Sequence, residues 1–171
     1  GEYDLGTNAS ALAISEEFKA DTKNHGKQTI IITVKGADDA EHAISVPVTL
    51  ITKMIATVAD FQSIQPTSAV KGVWGYYVLA ADIADNSLAS SSYVGDWEET
   101  TGFFATLDGA GHTISAAANG AGGLFGILRS ATIKNLTVKD NWRSAWASGG
   151  SSLLAKACFN STLENVTFTY V

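Results

Sequence analysis

What most constrains this chain is an internal repeat. Ala131-Thr132-Ile133-Lys134-Asn135-Leu136-Thr137-Val138 and Ser161-Thr162-Leu163-Glu164-Asn165-Val166-Thr167-Phe168 match in character at every position, at a constant offset of 30 residues. Neither phrase can bury its apolar face alone, and repeats of roughly 20 to 50 residues mark units that cover one another. The segments before them also pair, 124–128 over 153–157 at an offset of 29, so the unit reads as carrying one inserted residue between its halves. Within the unit the two-residue alternation slips between Asn135 and Leu136, which predicts a corner. Asn tolerates the left-handed backbone of a sharp bend, and its amide can bond the same amide one strand away, about 4.8 Å along the stack. Asn135 and Asn165 are therefore expected to form a structural ladder. They also read as N-x-Thr acceptors, as do Asn8 and Asn160, but the structural role is preferred for the inward pair.

Composition narrows the chemistry. The 171 residues carry 11 Lys+Arg against 17 Asp+Glu, a formal charge of −6, with 46% apolar and 16% charged residues. A negative chain with scattered Lys offers no footprint for phosphate backbones and no attraction to anionic membranes, which argues against nucleic-acid partners. No run of about 18 apolar residues is available to cross a bilayer as a helix. The single cysteine, Cys158, cannot form an internal disulfide or a zinc cluster, and its apolar repeat position predicts burial as a small hydrophobe. His25, His42 and His112 lack metal-ligand spacing, and no nucleophile elbow appears, so neither a metal nor a cofactor is expected.

Two pieces are expected. Over residues 1–53 the sequence is that of a β-hairpin: 28–35 is β-branched and apolar, 36–40 supplies turn residues, and 42–50 alternates. Pro47 requires an edge strand or a bulge. From 54 to 171 the pattern changes. Thr57 caps a short helix near 58–64 with apolar residues at 58, 61 and 64, read as a lid at one end. Strand candidates follow at 76–83, 103–107, 112–116, 131–138 and 161–170. Gly1-Glu2-Tyr3-Asp4 has no signal-peptide character, and both ends read as cuts in a longer polypeptide.

Residues 106–114, then Gly122-Gly123-Leu124-Phe125-Gly126 and 131–138, resemble the right-handed parallel β-helix repeats of bacterial surface proteins. Gly123-Leu124-Phe125-Gly126 is similar to the Gly-Leu-x-Gly core of the GLUG motif, and 76–83 to the phrase that opens such helices. The hairpin resembles the last strands of bacterial immunoglobulin-like modules. A full module needs about 100 residues, so either its early strands are missing or Tyr3 to Ile14 supplies them. The resemblance implies an all-β chain: part of an immunoglobulin-like β-sandwich followed by the N-terminal part of a parallel β-helix solenoid with a short capping helix. It also implies an extracellular, cell-surface setting beside neighbouring domains of the same polypeptide. Ala116 stands where many relatives carry Asn, so the ladder is expected to start one coil later.

For function, aromatic residues in the longer segments between strands carry the binding argument. Tyr93, Trp97, Trp142 and Trp146, with Arg143 between the last two, are candidates for stacking on a glycan or anchoring a host surface protein. The leading expectation is a non-catalytic structural and adhesion module. The alternative is part of a carbohydrate-active β-helix enzyme, a polysaccharide lyase or glycosidase, which would need clustered carboxylates and a basic residue on one outer face. Asp82, Asp85, Asp96, Glu98, Glu99 and Asp108 show no repeated spacing.

Overall fold

The computed structural model describes residues 16–36, 40–66, 72–85, 94, 102–116, 123–140 and 153–170. Among them the chain is mostly β, with two five-residue helices and one 3-10 turn. Helix α1 (Glu16–Ala20) and the turn Thr22–Asn24, capped by the Asp21 carboxylate, lead into the hairpin.

Strands β1 (Gly26–Lys35) and β2 (Glu41–Leu50) pair antiparallel without a break, from Gly26 opposite Leu50 to Lys35 opposite Glu41. Gly36 N–H donates to Ala40 O at 2.8 Å and closes the turn. An unbroken register through Pro47 requires its nitrogen to face the outer edge, so no bulge is needed. Ile30, Ile32, Val34, Val46 and Val48 lie half-buried along one face, while Ile31 on the other is 66% exposed. Residues 1–15, the candidate source of further sandwich strands, lie outside the described residues. His25 ties the start of the hairpin to the residues just beyond its end. Its Nδ1 is 2.6 Å from Thr52 Oγ1 and its Nε2 2.8 Å from Lys19 O, while Thr52 Oγ1 accepts the Tyr76 N–H at 2.8 Å.

From β3 (Lys53–Ile55) onward every described pairing is parallel. β3, β4 (Tyr76–Leu79), β6 (Thr106–Asp108), β9 (Thr132–Asp140) and β11 (Thr162–Tyr170) lie side by side, with Tyr76, Thr106, Thr132 and Thr162 aligned. β5 (Ile83–Asp85), β7 (Thr113–Ala116) and the distal halves of β9 and β11 form a second row. β8 (Phe125–Arg129) and β10 (Ala155–Phe159) form a third, which bridges at Val94 and Phe103 extend. Parallel neighbours cannot be joined by tight hairpins, and each pair is separated by a longer stretch of chain.

Aligned strands give aligned side chains. Tyr77, Leu107, Ile133 and Leu163 form one inward column; Ile83, Ile114, Val138 and Phe168 form another. Ile114 and Ile133 stand in different columns because the corner at 135 divides the two rows. Leu107, Ile114, Ile133 and Val138 are fully buried, each worth roughly 1.5–3 kcal/mol of transfer free energy. Phe125 packs at the centre, 4.9 Å from Phe103 and 6.0 Å from Phe61 between ring centroids. Phe61 belongs to α2 (Val58–Gln62), whose Thr57 and Asp60 form a reciprocal capping box. With Ile64 it buries the helix's apolar side in the same core, as the 58, 61, 64 spacing predicts.

Three further differences have clear causes. Ala155 pairs with Phe125 at an offset of 30, so the expected offset of 29 is wrong and the unit has no insertion there. Leu153-Leu154 and Leu124-Phe125 are alike in hydropathy, and pattern alone cannot choose between two registers one residue apart. The expected strand 76–83 is broken at 80–82, where the chain turns between rows. Cys158 occupies the repeat position of buried Leu128 but is exposed, because β10 has no neighbour on its outer side among the described residues. Partial desolvation still raises its thiol pKa.

Candidate functional site

The strongest concentration of polar chemistry among the described residues is the corner between the first and second rows. Asn135 and Asn165 stand there with φ of 51° and 52°. Asn165 Nδ2 donates to Asn135 Oδ1 at 3.2 Å, and Asn135 Nδ2 donates to Asp108 Oδ1 at 3.0 Å. The ladder thus begins on the preceding strand with a carboxylate, one step earlier than expected. Pattern matching misses Asp108 because its corner, Gly109-Ala110-Gly111-His112, is two residues longer than Asn135-Leu136, which shifts the spacing. Two glycines make this corner feasible. A Cβ on Gly109 would lie 2.7 Å from Leu136 Cα, and Gly111 adopts φ 86°.

Asp108 is the hub. Oδ1 also accepts the Ala110 N–H at 3.0 Å, while Oδ2 accepts the Tyr76 hydroxyl at 2.9 Å and lies 3.2 Å from Lys134 Nζ. The side chains of Asp108 and Lys134 are 17% and 15% exposed. Burial works against the charged form of Asp108, but hydrogen bonds from Asn135, Ala110, Tyr76 and Lys134 outweigh it and the pKa falls below the ordinary value. Lys134, held against Tyr76 and Asp108 with its ammonium 5.2 Å from the Tyr76 ring centroid, is raised. Both groups stay charged near pH 7, and the arrangement clamps β4, β6 and β9 together. A second link crosses the next corner: Asp82 Oδ1 accepts the Thr113 N–H at 2.9 Å and lies 3.1 Å from His112 Nδ1, and the backbone bond, followed by His112, lowers its pKa.

Outside this clamp the wall is plain. Thr106, Thr132 and Thr162 form one in-register column, and Thr113, Thr137 and Thr167 another. Trp74 and Phe104 stack at 4.5 Å and 10°, with Lys23 5.4 Å from the indole centroid. Sequence reasoning missed that half-buried pair, although Gly72-Val73-Trp74 and Gly102-Phe103-Phe104 are related by the same offset of 30. A shallow depression of about 610 Å3 lies on the hairpin, lined by Lys27, Gln28, Thr29, Pro47, Val48 and Thr49. Tyr93, Trp97, Trp142, Arg143 and Trp146 lie outside the described residues. Among the described residues, no three His, Cys, Asp or Glu gather as a metal would require, and no helix is long and apolar enough to cross a membrane. No family model, curated protein or solved structure matches the chain.

Proposed function

We propose that residues 54–171 wind as the N-terminal part of a right-handed parallel β-helix, preceded over 1–53 by part of an immunoglobulin-like module. We propose further that the whole serves as a non-catalytic structural and adhesion module of a secreted bacterial surface protein. The observation that carries this reading is the in-register parallel alignment of successive strands with a left-handed Asn at the same corner of β9 and β11. Parallel crossovers of L-amino acids favour the right hand. The threonine columns supply an outer wall suited to display, with glycan or host protein bound by the aromatics of the connecting segments.

The enzyme alternative draws less support. Asp108 and Glu164 flank Lys134 in one outward column, but Asp108 accepts from four donors and is held ionised, which suits neither a general acid nor an unencumbered base. The test is a glycan array probed with the wild type and Trp142→Ala, beside incubation with acidic and neutral polysaccharides. Binding by the wild type, its loss in the variant, and no new reducing ends or unsaturated products are expected. Turnover of any polysaccharide would overturn the non-catalytic reading.

A further inference from the structure

The outer wall carries a column that joins aromatic rings and cations. Val73, Phe103 and Leu128 bridge in register and are buried in the core, so the residue after each, Trp74, Phe104 and Arg129, turns outward. Phe159 on β10 pairs with Arg129 and extends the same column. Gly72 makes room for the rings: it has φ of 104°, and a Cβ there would lie 2.8 Å from Phe104 Cε2. Side chains that point away from the core are not covered by a strand added at either end of the stack; such a strand only lengthens the column.

The cations of this column are held differently from those elsewhere. Lys53 and Lys134 lie 3.1 and 3.2 Å from Asp60 and Asp108, which neutralise them. Lys23 and Arg129 lie against rings instead, 5.4 Å from the Trp74 centroid and 4.9 Å from that of Phe159. A ring attracts a cation but carries no net charge to cancel it. Asp21 accepts the Lys23 backbone N–H and makes no ion pair with its ammonium among the described residues. Arg129 has no ion pair there either, and its Nε is buried without a hydrogen-bond partner, so packing alone holds the guanidinium. Between the two cations, Trp74 and Phe104 stack face to face and turn their electropositive edges outward. On a chain of net charge −6, this is a positive strip.

The spacing selects the ligand. Trp74 and Arg129 are two strand steps apart, roughly 10 Å, and Lys23 lies over the indole face that Phe104 does not occupy. A single small anion meets one exposed cation and gains little. Nucleic acid, with a charge every 1.7 Å or so, would set many unmatched phosphates against an acidic chain. A flexible acidic peptide pays to be ordered along the strip. A stiff chain of sugars with well-separated carboxylates meets both cations and lays C–H surface across the rings between them.

We infer that the column Trp74, Phe104, Arg129, with Lys23 over its first ring, binds an acidic polysaccharide, Lys23 and Arg129 each taking a carboxylate. It uses other residues than the connecting-segment aromatics proposed above. The probe is a fluorescent hyaluronan octasaccharide, with a carboxylate on every second sugar, titrated by anisotropy against the whole chain; a chitin oligosaccharide of equal length is the neutral control. Saturable binding of hyaluronan is expected, weakened roughly fivefold between about 50 and 200 mM salt, with no binding of chitin. Lys23→Gln, an exposed change that should leave the urea midpoint in place, should weaken binding about threefold and Arg129→Gln about tenfold, with Arg129→Lys recovering part of that loss. Absence of binding, equal binding of the two probes, or hyaluronan binding that neither glutamine variant weakens would overturn the inference. Trp142→Ala separates the two readings. Loss of binding in that variant alone overturns the column and leaves the connecting-segment site standing; loss in Lys23→Gln and Arg129→Gln alone supports the column.

Discussion

Ile31 and Ile133 are both isoleucines in strands of nine or ten residues, yet one is 66% exposed and the other fully buried. Ile31 sits in a two-stranded antiparallel ribbon whose described partners end at its edges. Ile133 has a parallel strand on each side and stands in a column above Leu107. Strand propensity is the same in both places; what differs is whether the next strand returns in register to cover the side chain. An isolated ribbon is marginal in water, and a parallel stack gains with every strand added.

The sharpest way to separate the two regions is to remove buried volume from one and apolar surface from the other. Phe125→Ala deletes a fully buried ring that touches Phe61 and Phe103, and should cost about 3–5 kcal/mol in urea unfolding. Ile31→Thr should change stability by no more than about 0.5 kcal/mol. Equal effects would mean that the hairpin and wall share one cooperative core.

Next in size is the clamp. Asp108→Ala strands the Lys134 ammonium and three other donors in a half-buried site, and a loss of about 2–3 kcal/mol is expected by the same measurement. No comparable polar hub exists among the described residues of the hairpin. Asn135→Ala should cost about 2 kcal/mol, from left-handed strain and two broken rungs, and Asn135→Gly about half of that because glycine removes the strain. If the glycine variant is no better than the alanine, backbone strain is not part of the corner.

The smallest effect is a pH dependence. Hydrogen bonds from Thr57, Lys53 and Ala56 hold the Asp60 carboxyl down at about 2, against an ordinary 3.8. A depressed folded-state pKa gives stability that is present above the unfolded value and lost as pH falls through the folded one. The thermal midpoint should therefore decline between about pH 4 and pH 2, and Asp60→Asn should make that decline shallower. Asp82 and Asp108, both lowered, act in the same direction, so a slope unchanged in Asp60→Asn would assign the effect to them.

The sequence revealed the corner where the repeat is uniform and hid it where the repeat is not. Asn135 and Asn165 stand 30 residues apart in phrases of equal length, so their stacking could be read directly. Asp108 is 27 residues before Asn135, on a longer corner, and carries a carboxylate where pattern matching seeks an amide. The aromatic core of Phe61, Phe103 and Phe125 was equally hidden. Phe61 comes from α2 and Phe103 and Phe125 from the third row, and they meet through contacts that no local periodicity encodes. The same limit placed 153–157 one residue out of register.

The central claim is that 132–138 and 162–168 run side by side in one direction. With Cys158→Ser as background, the pairs Thr132→Cys/Thr162→Cys and Thr137→Cys/Thr167→Cys should each form an intramolecular disulfide under mild oxidation, since parallel neighbours bring Cα atoms within about 5 Å. Thr132→Cys/Thr167→Cys should stay reduced. Oxidation of that last pair in place of the first two would contradict the account.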